Sequence, residues 1–216
     1  MQQVSRVMPL SDIEVLSRAK GGDGRTIVAY AAVFSEPTSI NDQDGSYDEQ
    51  IAPVAFNRTL AEGRAIPVFY NHARTVHGSP SELGSVPIGS PVEPPRPDGR
   101  GLLTTTRLNQ TQLADQVLAS IRNGDPMGMS FTGRFVRSAP ARPRGGYAPD
   151  RSGARTLVTR TDIGLLEYGP TPTPAYPGAA VVGVRSGTDL CGPETRREYL
   201  ERLDVRMAAR RRRVTR

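Results

Sequence analysis

One serine lies inside an apolar run, where a hydroxyl is unusual. Ser130 is the third residue of the run GMSFTGRF, whose composition is typical of a strand. A strand serine most often bonds a nearby carbonyl, so Ser130 alone is weak evidence for chemistry. Two other apolar segments supply candidate partners, because His72 ends the run FYNH and Glu167 follows two leucines. A nucleophile, a base and a carboxylate on separate segments are the set that acyl transfer needs.

The three side chains would have different roles. A serine hydroxyl needs a base to take its proton as it attacks, and His72 is the candidate base. Glu167 could accept the other imidazole N–H, and Asp162 competes for that role. Backbone N–H groups at residues 133–134 could stabilise an oxyanion, although the glycine there could equally mark a β-bulge.

Each candidate also has an ordinary structural interpretation. His72 could be a surface or capping histidine, which is the interpretation we favour for His77 in its polar, Gly/Ser/Pro-rich sequence. Glu167 could be an exposed strand residue paired with an arginine. Residues 41–45 (NDQDG) resemble the start of a calcium loop but lack its later glutamate, so they predict a polar turn. We expect no metal and no cofactor.

Composition limits the class of protein. A chain of 216 residues with 37% hydrophobic content predicts one domain with appendages, and 19 prolines with 22 glycines favour an α+β fold rich in turns. A single cysteine, Cys191, excludes an internal disulfide framework, and two histidines are few for a zinc site. The sequence has neither a membrane span nor a signal-like N-terminus, so we expect a cytoplasmic protein without membrane contact.

Positive charge is concentrated at the C-terminal end. Residues 194–216 carry nine arginines and four acids, a net +5 out of +6 for the chain. The high pI therefore belongs to a tail, and the body does not have the charge of a nucleic-acid-binding domain.

The elements that must position the three side chains follow from periodicity and turn residues. A short helix is predicted from Pro53 to Gly63, and a second helix follows a capping box at Asn109 and Gln112 and ends at Gly124. Strands are predicted at residues 26–34, 66–70, 83–92, 101–108, 128–136, 156–168 and 180–184.

The chain divides into three predicted parts. Residues 1–24 are expected to be a flexible leader, residues 25–185 a domain with a mobile loop at 138–155, and residues 186–216 a basic tail helix.

A series of short segments occurs in a fixed order along the chain: residues 31–34 (AAVF), 47–56 (YDEQIAPVAF), 71–72 (NH), 83–84 (LG), 98–102 (DGRGL), 129–131 (MSF) and 166–177 (LEYGPTPTPAYP). In this order they resemble the caudoviral prohead protease family, the capsid-maturation serine proteases of tailed phages and distant relatives of herpesvirus assemblin. The resemblance extends from Thr26 to Val184.

The resemblance implies a β-barrel-like antiparallel core with a few flanking helices, Ser130 as nucleophile and His72 as general base. Three positions depart from the family's pattern. Val54 replaces a glycine, the segment after Ser130 is longer than the usual Phe-Gly-Phe, and Gly169 stands where a serine is common. The second departure predicts a bulge or a shifted oxyanion region, and the third makes Glu167 the least secure assignment.

Two hypotheses of function follow. The first is a serine endopeptidase that cleaves the major capsid protein and its scaffold segment, and also itself, inside the immature phage capsid in the host cytoplasm. The portal and prohead shell would be further partners. The second is a non-enzymatic assembly module that binds capsid protein or nucleic acid through its basic tail. Nucleic-acid contact by the tail is the less favoured of these interactions. A solvated C-terminal helix is the alternative to both.

Overall fold

A computed structural model describes residues 3–8, 14–16, 23–74, 85–149 and 152–172. The strands are β1 (Gln3–Met8), β2 (Glu14–Leu16), β3 (Thr26–Val33), β4 (Thr38–Asp42), β5 (Gly45–Ile51), β6 (Gly89–Pro91), β7 (Arg96–Pro97), β8 (Gly101–Leu108), β9 (Gly128–Ala139) and β10 (Thr156–Thr171). The helices are α1 (Asn57–Ala61) and α2 (Gln112–Asn123), and a 3₁₀ turn spans Asn71–Ala73. None of the described helices has the length and apolar character that a membrane crossing requires.

The strands form two sheets. One has the order β1-β9-β10-β5-β4, and the other has the order β2-β3-β8-β6, with β7 also paired to β8. All pairs are antiparallel except β10 with β5. The fold is therefore α+β, dominated by sheets and with few helices, as the sequence predicts.

The described strands do not close into a barrel, which corrects the barrel-like core that we expected. The two sheets approach each other at Val68, which forms single bridges to Tyr168 of β10 and to Gly89 of β6. The predicted strand at 66–70 is reduced to this one residue. Pro67 has no N–H to donate, so a longer ladder cannot form on both sides of this segment.

The core lies between the two sheets. Met129 and Phe131 of β9, together with Leu165 and Tyr168 of β10, are completely buried on the inner side of their sheet. Phe56, which directly precedes α1, packs edge-on against Phe131 with ring centroids 5.4 Å apart. Strand β9 thus has one apolar face that is fully used for packing, which leaves its other face for different side chains.

The N-terminal segment differs from the expected leader, because it contains two strands. β1 pairs with β9 along its whole length, and β2 pairs with β3. Both are edge strands, each paired with one neighbour only along the described sheets. The lack of sustained periodicity in residues 1–24 therefore did not mean a lack of structure.

Helix α2 confirms the predicted stop but not the predicted start. Gly124 adopts a left-handed conformation (φ 77°) at the C-terminal end. At the start, the cap residue is Thr111, and no side chain caps the helix. The amide of Asn109 instead donates to the carbonyl oxygen of Pro87 at 3.0 Å, so the predicted capping box is wrong.

Residues in the expected loop at 138–155 are partly integrated into the fold. Strand β9 continues to Ala139, and the buried Tyr147 packs against Tyr47 with ring centroids 4.8 Å apart. The predicted polar turn at 41–45 is confirmed as the connection between β4 and β5. The predicted strand at 180–184 and the tail helix at 186–216 lie outside the described residues.

Candidate active site

Strands β9 and β10 place the candidate residues on one face of their sheet. In the antiparallel register, Ser130 lies opposite Gly169, and Thr132 lies opposite Glu167. Side chains alternate along a strand, so Ser130 and Thr132 point away from the core that Phe131 faces. We call this side of β9 and β10 the polar face.

A β-bulge in β10 aims Glu167 onto the polar face. Leu165 pairs with Gly133 and Glu167 pairs with Thr132, so Leu166 is an extra residue without a partner in β9. In a regular ladder Leu166 would stand opposite Thr132, and Glu167 would point into the core. The bulge that the sequence suggested near Gly133 is therefore present, but the extra residue belongs to the facing strand.

His72 reaches the polar face from a strained turn. Asn71, His72 and Ala73 all have positive φ values, of 50°, 57° and 57°. Left-handed conformations cost non-glycine residues about 1–2 kcal/mol each, and such strain is concentrated at functional sites. The side chain of Asn71 offsets part of this cost, because it donates to the carbonyl of Arg74 at 2.8 Å and accepts from the Thr171 hydroxyl at 3.0 Å.

The chain before this turn approaches β10 very closely. The amide of Phe69 donates to the carbonyl of Tyr168 at 3.1 Å. A Cβ atom at Gly169 would lie 1.8 Å from the carbonyl oxygen of Phe69. Only glycine fits at this position, which explains why the serine that is common there in the resembled family is absent.

The imidazole of His72 contacts two side chains of the polar face through one nitrogen. Its Nδ1 lies 2.7 Å from Glu167 Oε1 and 3.0 Å from Thr132 Oγ1. All three residues are largely buried, with side-chain exposures of 13% for His72 and 10% for Glu167. A carboxylate at this distance accepts the Nδ1 proton, which makes Nε2 the basic nitrogen of the neutral ring.

The second nitrogen is available for chemistry. His72 Nε2 is buried and makes no hydrogen bond, and Glu167 Oε2 is in the same condition. Ser130 is completely buried. It lies two residues before Thr132 in β9, so both side chains are on the same face of the strand. The structure thus joins His72 to Glu167 directly and places Ser130 nearby, without a hydrogen bond between Ser130 and Nε2.

His72 and Glu167 thus meet on the face of β9 that also carries Ser130. Comparison with known families identifies the class of protein to which this site belongs. The sequence model of the caudovirus prohead serine protease family matches residues 11–190. The chain belongs to this family. No curated protein and no solved structure matches the chain significantly.

Membership makes the chain a prohead serine protease, a hydrolase of capsid maturation that acts within the phage capsid. The capsid and scaffold proteins of the prohead are the substrate class that this family implies. The match begins at residue 11, so β1 lies before the part of the chain that the family model covers.

The alternative carboxylate is engaged elsewhere in this prohead protease. Asp162 accepts two hydrogen bonds from Nε of Arg58, each 3.1 Å long. Among the described residues, Glu167 is the carboxylate that contacts His72.

The predicted oxyanion donors are poorly placed for that role. Gly133 and Arg134 lie within β9, between β1 and β10. Peptide N–H groups of a strand lie in the plane of the sheet, whereas Ser130 projects from its face. His77 lies outside the described residues.

Two residues of the site were not predicted from the sequence. Thr132 follows Ser130 by two positions, which is the spacing that puts both hydroxyls on one face of a strand. Asn71 precedes His72, and asparagine is enriched in left-handed turns. Both signals were present in the sequence, but both are common where there is no active site.

The tyrosines near the site stay protonated at neutral pH. Burial raises the pKa of Tyr70, and burial raises the pKa of Tyr168 to about 12. The hydroxyl of Tyr168 is 2.8 Å from that of Thr106 in β8, which lowers its pKa slightly. Among the described residues, no cluster of three His, Cys, Asp or Glu side chains could hold a metal ion.

Proposed function

We propose that the chain is a serine endopeptidase in which Ser130 is the nucleophile, His72 the general base and Glu167 the residue that orients His72. The observation that carries this proposal is the 2.7 Å contact between His72 Nδ1 and Glu167 Oε1 beside the buried serine. A carboxylate on Nδ1 fixes the tautomer whose Nε2 can accept a proton.

The reaction would proceed in two halves. As Ser130 Oγ attacks the scissile carbonyl carbon, Nε2 of His72 takes the hydroxyl proton, and Glu167 stabilises the imidazolium. His72 then gives this proton to the leaving amine, and an acyl-enzyme remains on Ser130. A water molecule, deprotonated by the same nitrogen, hydrolyses the ester and restores the hydroxyl.

The site requires a rearrangement before the first step. Ser130 has no exposed surface, and Nε2 makes no hydrogen bond. A substrate carbonyl must reach the serine, and the serine and the imidazole must come within about 3 Å of each other. We expect substrate binding to supply this change.

The substrates we propose are the major capsid protein, its scaffold segment and the protease itself. Self-cleavage needs backbone that can be drawn into the site as an extended segment. The sequence offers two candidate segments for self-cleavage, residues 138–154 and residues 186–193. Of these, residues 138–154 are partly held by β9, by buried Tyr147 and by the pair Arg142–Asp44 at 2.8 Å. We therefore place self-cleavage in residues 186–193.

Coexpression with a capsid protein that carries a scaffold segment tests the proposal. Mass spectrometry should show a shortened capsid protein with wild-type chain and an intact one with Ser130→Ala. Ser90→Ala is the matched control, because Ser90 is an exposed serine of β6, and it should process normally. The protease itself should lose its C-terminal end only when Ser130 is present.

Two results would count against the proposal. Normal capsid processing by Ser130→Ala would remove Ser130 as nucleophile. Incorporation of the chain into shells without any cleavage would favour the assembly module, and loss of that incorporation on deleting residues 194–216 would assign binding to the tail.

A further inference from the structure

Thr132 has an unexpected position in the site. Its hydroxyl is 3.0 Å from Nδ1 of His72, on the same nitrogen that Glu167 contacts at 2.7 Å. Thr132 is 4% exposed and lies directly across from Glu167 in the ladder between β9 and β10. Two oxygens from neighbouring strands therefore converge on a single N–H.

The side of the ring that Thr132 contacts determines what it can do. A nucleophile must face the nitrogen that takes its proton, and Nδ1 is already committed to the carboxylate of Glu167. The Thr132 hydroxyl is instead a second acceptor for the Nδ1 proton, in a hydrogen bond shared by two oxygens. With one acceptor the ring can pivot about the N–H direction, whereas two acceptors restrict it.

The residue type suits this function. A β-branched side chain has few χ1 rotamers in a strand, so the hydroxyl of threonine is held more firmly than that of serine. The alternation of β9 points Ser130 and Thr132 to the same side. Thr132 and Glu167 therefore hold Nδ1 of the ring at the polar face, which is also the face of β9 that carries Ser130.

From this geometry we infer that Thr132 is a positioning residue of the protease, which orients the imidazole of His72 together with Glu167 so that Nε2 is directed toward Ser130. The inference rests on the proposed function of Ser130 and His72. It assigns to Thr132 no contact with the substrate.

Kinetics of Thr132→Val and Thr132→Ser test the role of the hydroxyl. Valine keeps the shape of threonine and removes the hydrogen bond, so kcat for capsid-protein cleavage should fall about tenfold while KM stays within about twofold. Thr132→Ser keeps the hydroxyl and should retain kcat within about threefold. Thr104→Val is the matched control, since Thr104 is a buried strand threonine whose hydroxyl donates to the carbonyl of Ala29 at 2.8 Å.

A second measurement does not depend on activity. In the Ser130→Ala background, NMR of ¹⁵N-histidine-labelled protein follows exchange of the His72 Nδ1 proton with solvent, and only one other histidine is present. Adding Thr132→Val should accelerate this exchange about tenfold. Should the valine variant fail to fold, Thr132→Ala takes its place in both measurements.

The outcomes separate this inference from the proposed function. An unchanged kcat and unchanged proton exchange in Thr132→Val would overturn the inference alone, as would an equal loss in Thr132→Ser and Thr132→Val. If Thr132→Val were as inactive as Ser130→Ala, Thr132 would be more than a positioning residue and the inference would also fall. Full activity of Ser130→Ala would overturn the proposed function, while proton exchange would still report on the Thr132–His72 contact.

Discussion

At the scale of single residues, the site is defined by which nitrogen of His72 is engaged. Glu167 and Thr132 both lie on the Nδ1 side, and Nε2 is buried without a partner. The two ring nitrogens therefore have different roles, since Nδ1 holds a proton and Nε2 can receive one. The proposed catalysis depends on Nε2 being the basic nitrogen.

Residue types and the family resemblance pointed to His72, Ser130 and Glu167 as candidates, and the contact between His72 and Glu167 keeps them together as a proposal. Residue types did not decide between Glu167 and Asp162. That choice depends on the bulge at Leu166, which turns Glu167 to the polar face, and on Arg58, which engages Asp162. Neither feature is visible in the sequence around these carboxylates.

Tyr168 gives a prediction about stability at high pH. Its phenol is completely buried and has a pKa raised to about 12 by burial, against about 10 in an unfolded chain. The folded state therefore favours the protonated phenol, and this contribution is complete below pH 10 and is lost as the pH rises toward 12. Two pKa units correspond to about 3 kcal/mol.

Urea unfolding of Ser130→Ala protein at pH 9 and pH 11.5, with and without Tyr168→Phe, measures this effect. Between pH 9 and pH 11.5 the free energy of unfolding should fall by about 2 kcal/mol less in the phenylalanine variant. An identical loss in both proteins would show that the Tyr168 phenol ionises in the folded state as it does in water.

At the scale of elements, the site depends on how closely residues 67–73 cross β10. Strands β9 and β10 were predicted because they are long and apolar, and α2 was predicted because its apolar stripe ends at a glycine. The crossing segment was predicted as an ordinary strand. Its actual form, one bridged residue followed by three left-handed residues, is determined by contacts with β10 and β6 that are distant in sequence.

Gly169→Ala tests the close crossing. The added Cβ would lie 1.8 Å from the carbonyl oxygen of Phe69, so the segment must move away and carry His72 with it. Cleavage of capsid protein should fall about 100-fold, because a displacement of about 1 Å in a catalytic group has this effect. The free energy of unfolding should fall by about 1–3 kcal/mol.

Gly164→Ala is the control for this substitution. Gly164 is also in β10, but a Cβ there would be no closer than 3.6 Å to Nη2 of Arg58. This variant should cleave at the wild-type rate. If the alanine at 169 were equally active and stable, the close approach of Phe69 would not be important for the site.

At the scale of the whole molecule, the two faces of β9 have different purposes. The core face packs Met129 and Phe131 against the interior, and the polar face carries Ser130 and also Thr132, whose hydroxyl contacts His72. The far half of β10 is anchored separately by a buried ion pair, in which Arg160 donates to Glu49 of β5 at 2.7 Å. A rigid pair of strands therefore carries the site.

The sequence predicted the α+β class and the family, but not how the two sheets are joined. Barrel closure would need a full strand at residues 66–70, and Pro67 restricts the join to Val68. The edge strand β1 was also not predicted, because it forms through pairing with β9, which is distant in sequence. Pairing between segments distant in sequence determines both the join at Val68 and the formation of β1. The central strands, in contrast, could be predicted from local patterns.

The account depends on His72 and Ser130 acting as one unit although they are far apart in the chain. The most direct test is a double-mutant cycle on the rate of capsid-protein cleavage, with His72→Ala, Ser130→Ala and the double variant. Residues of one catalytic unit are not additive, so the double variant should be as slow as either single variant, within about twofold. Losses that multiply in the double variant would show two independent residues and would contradict the account.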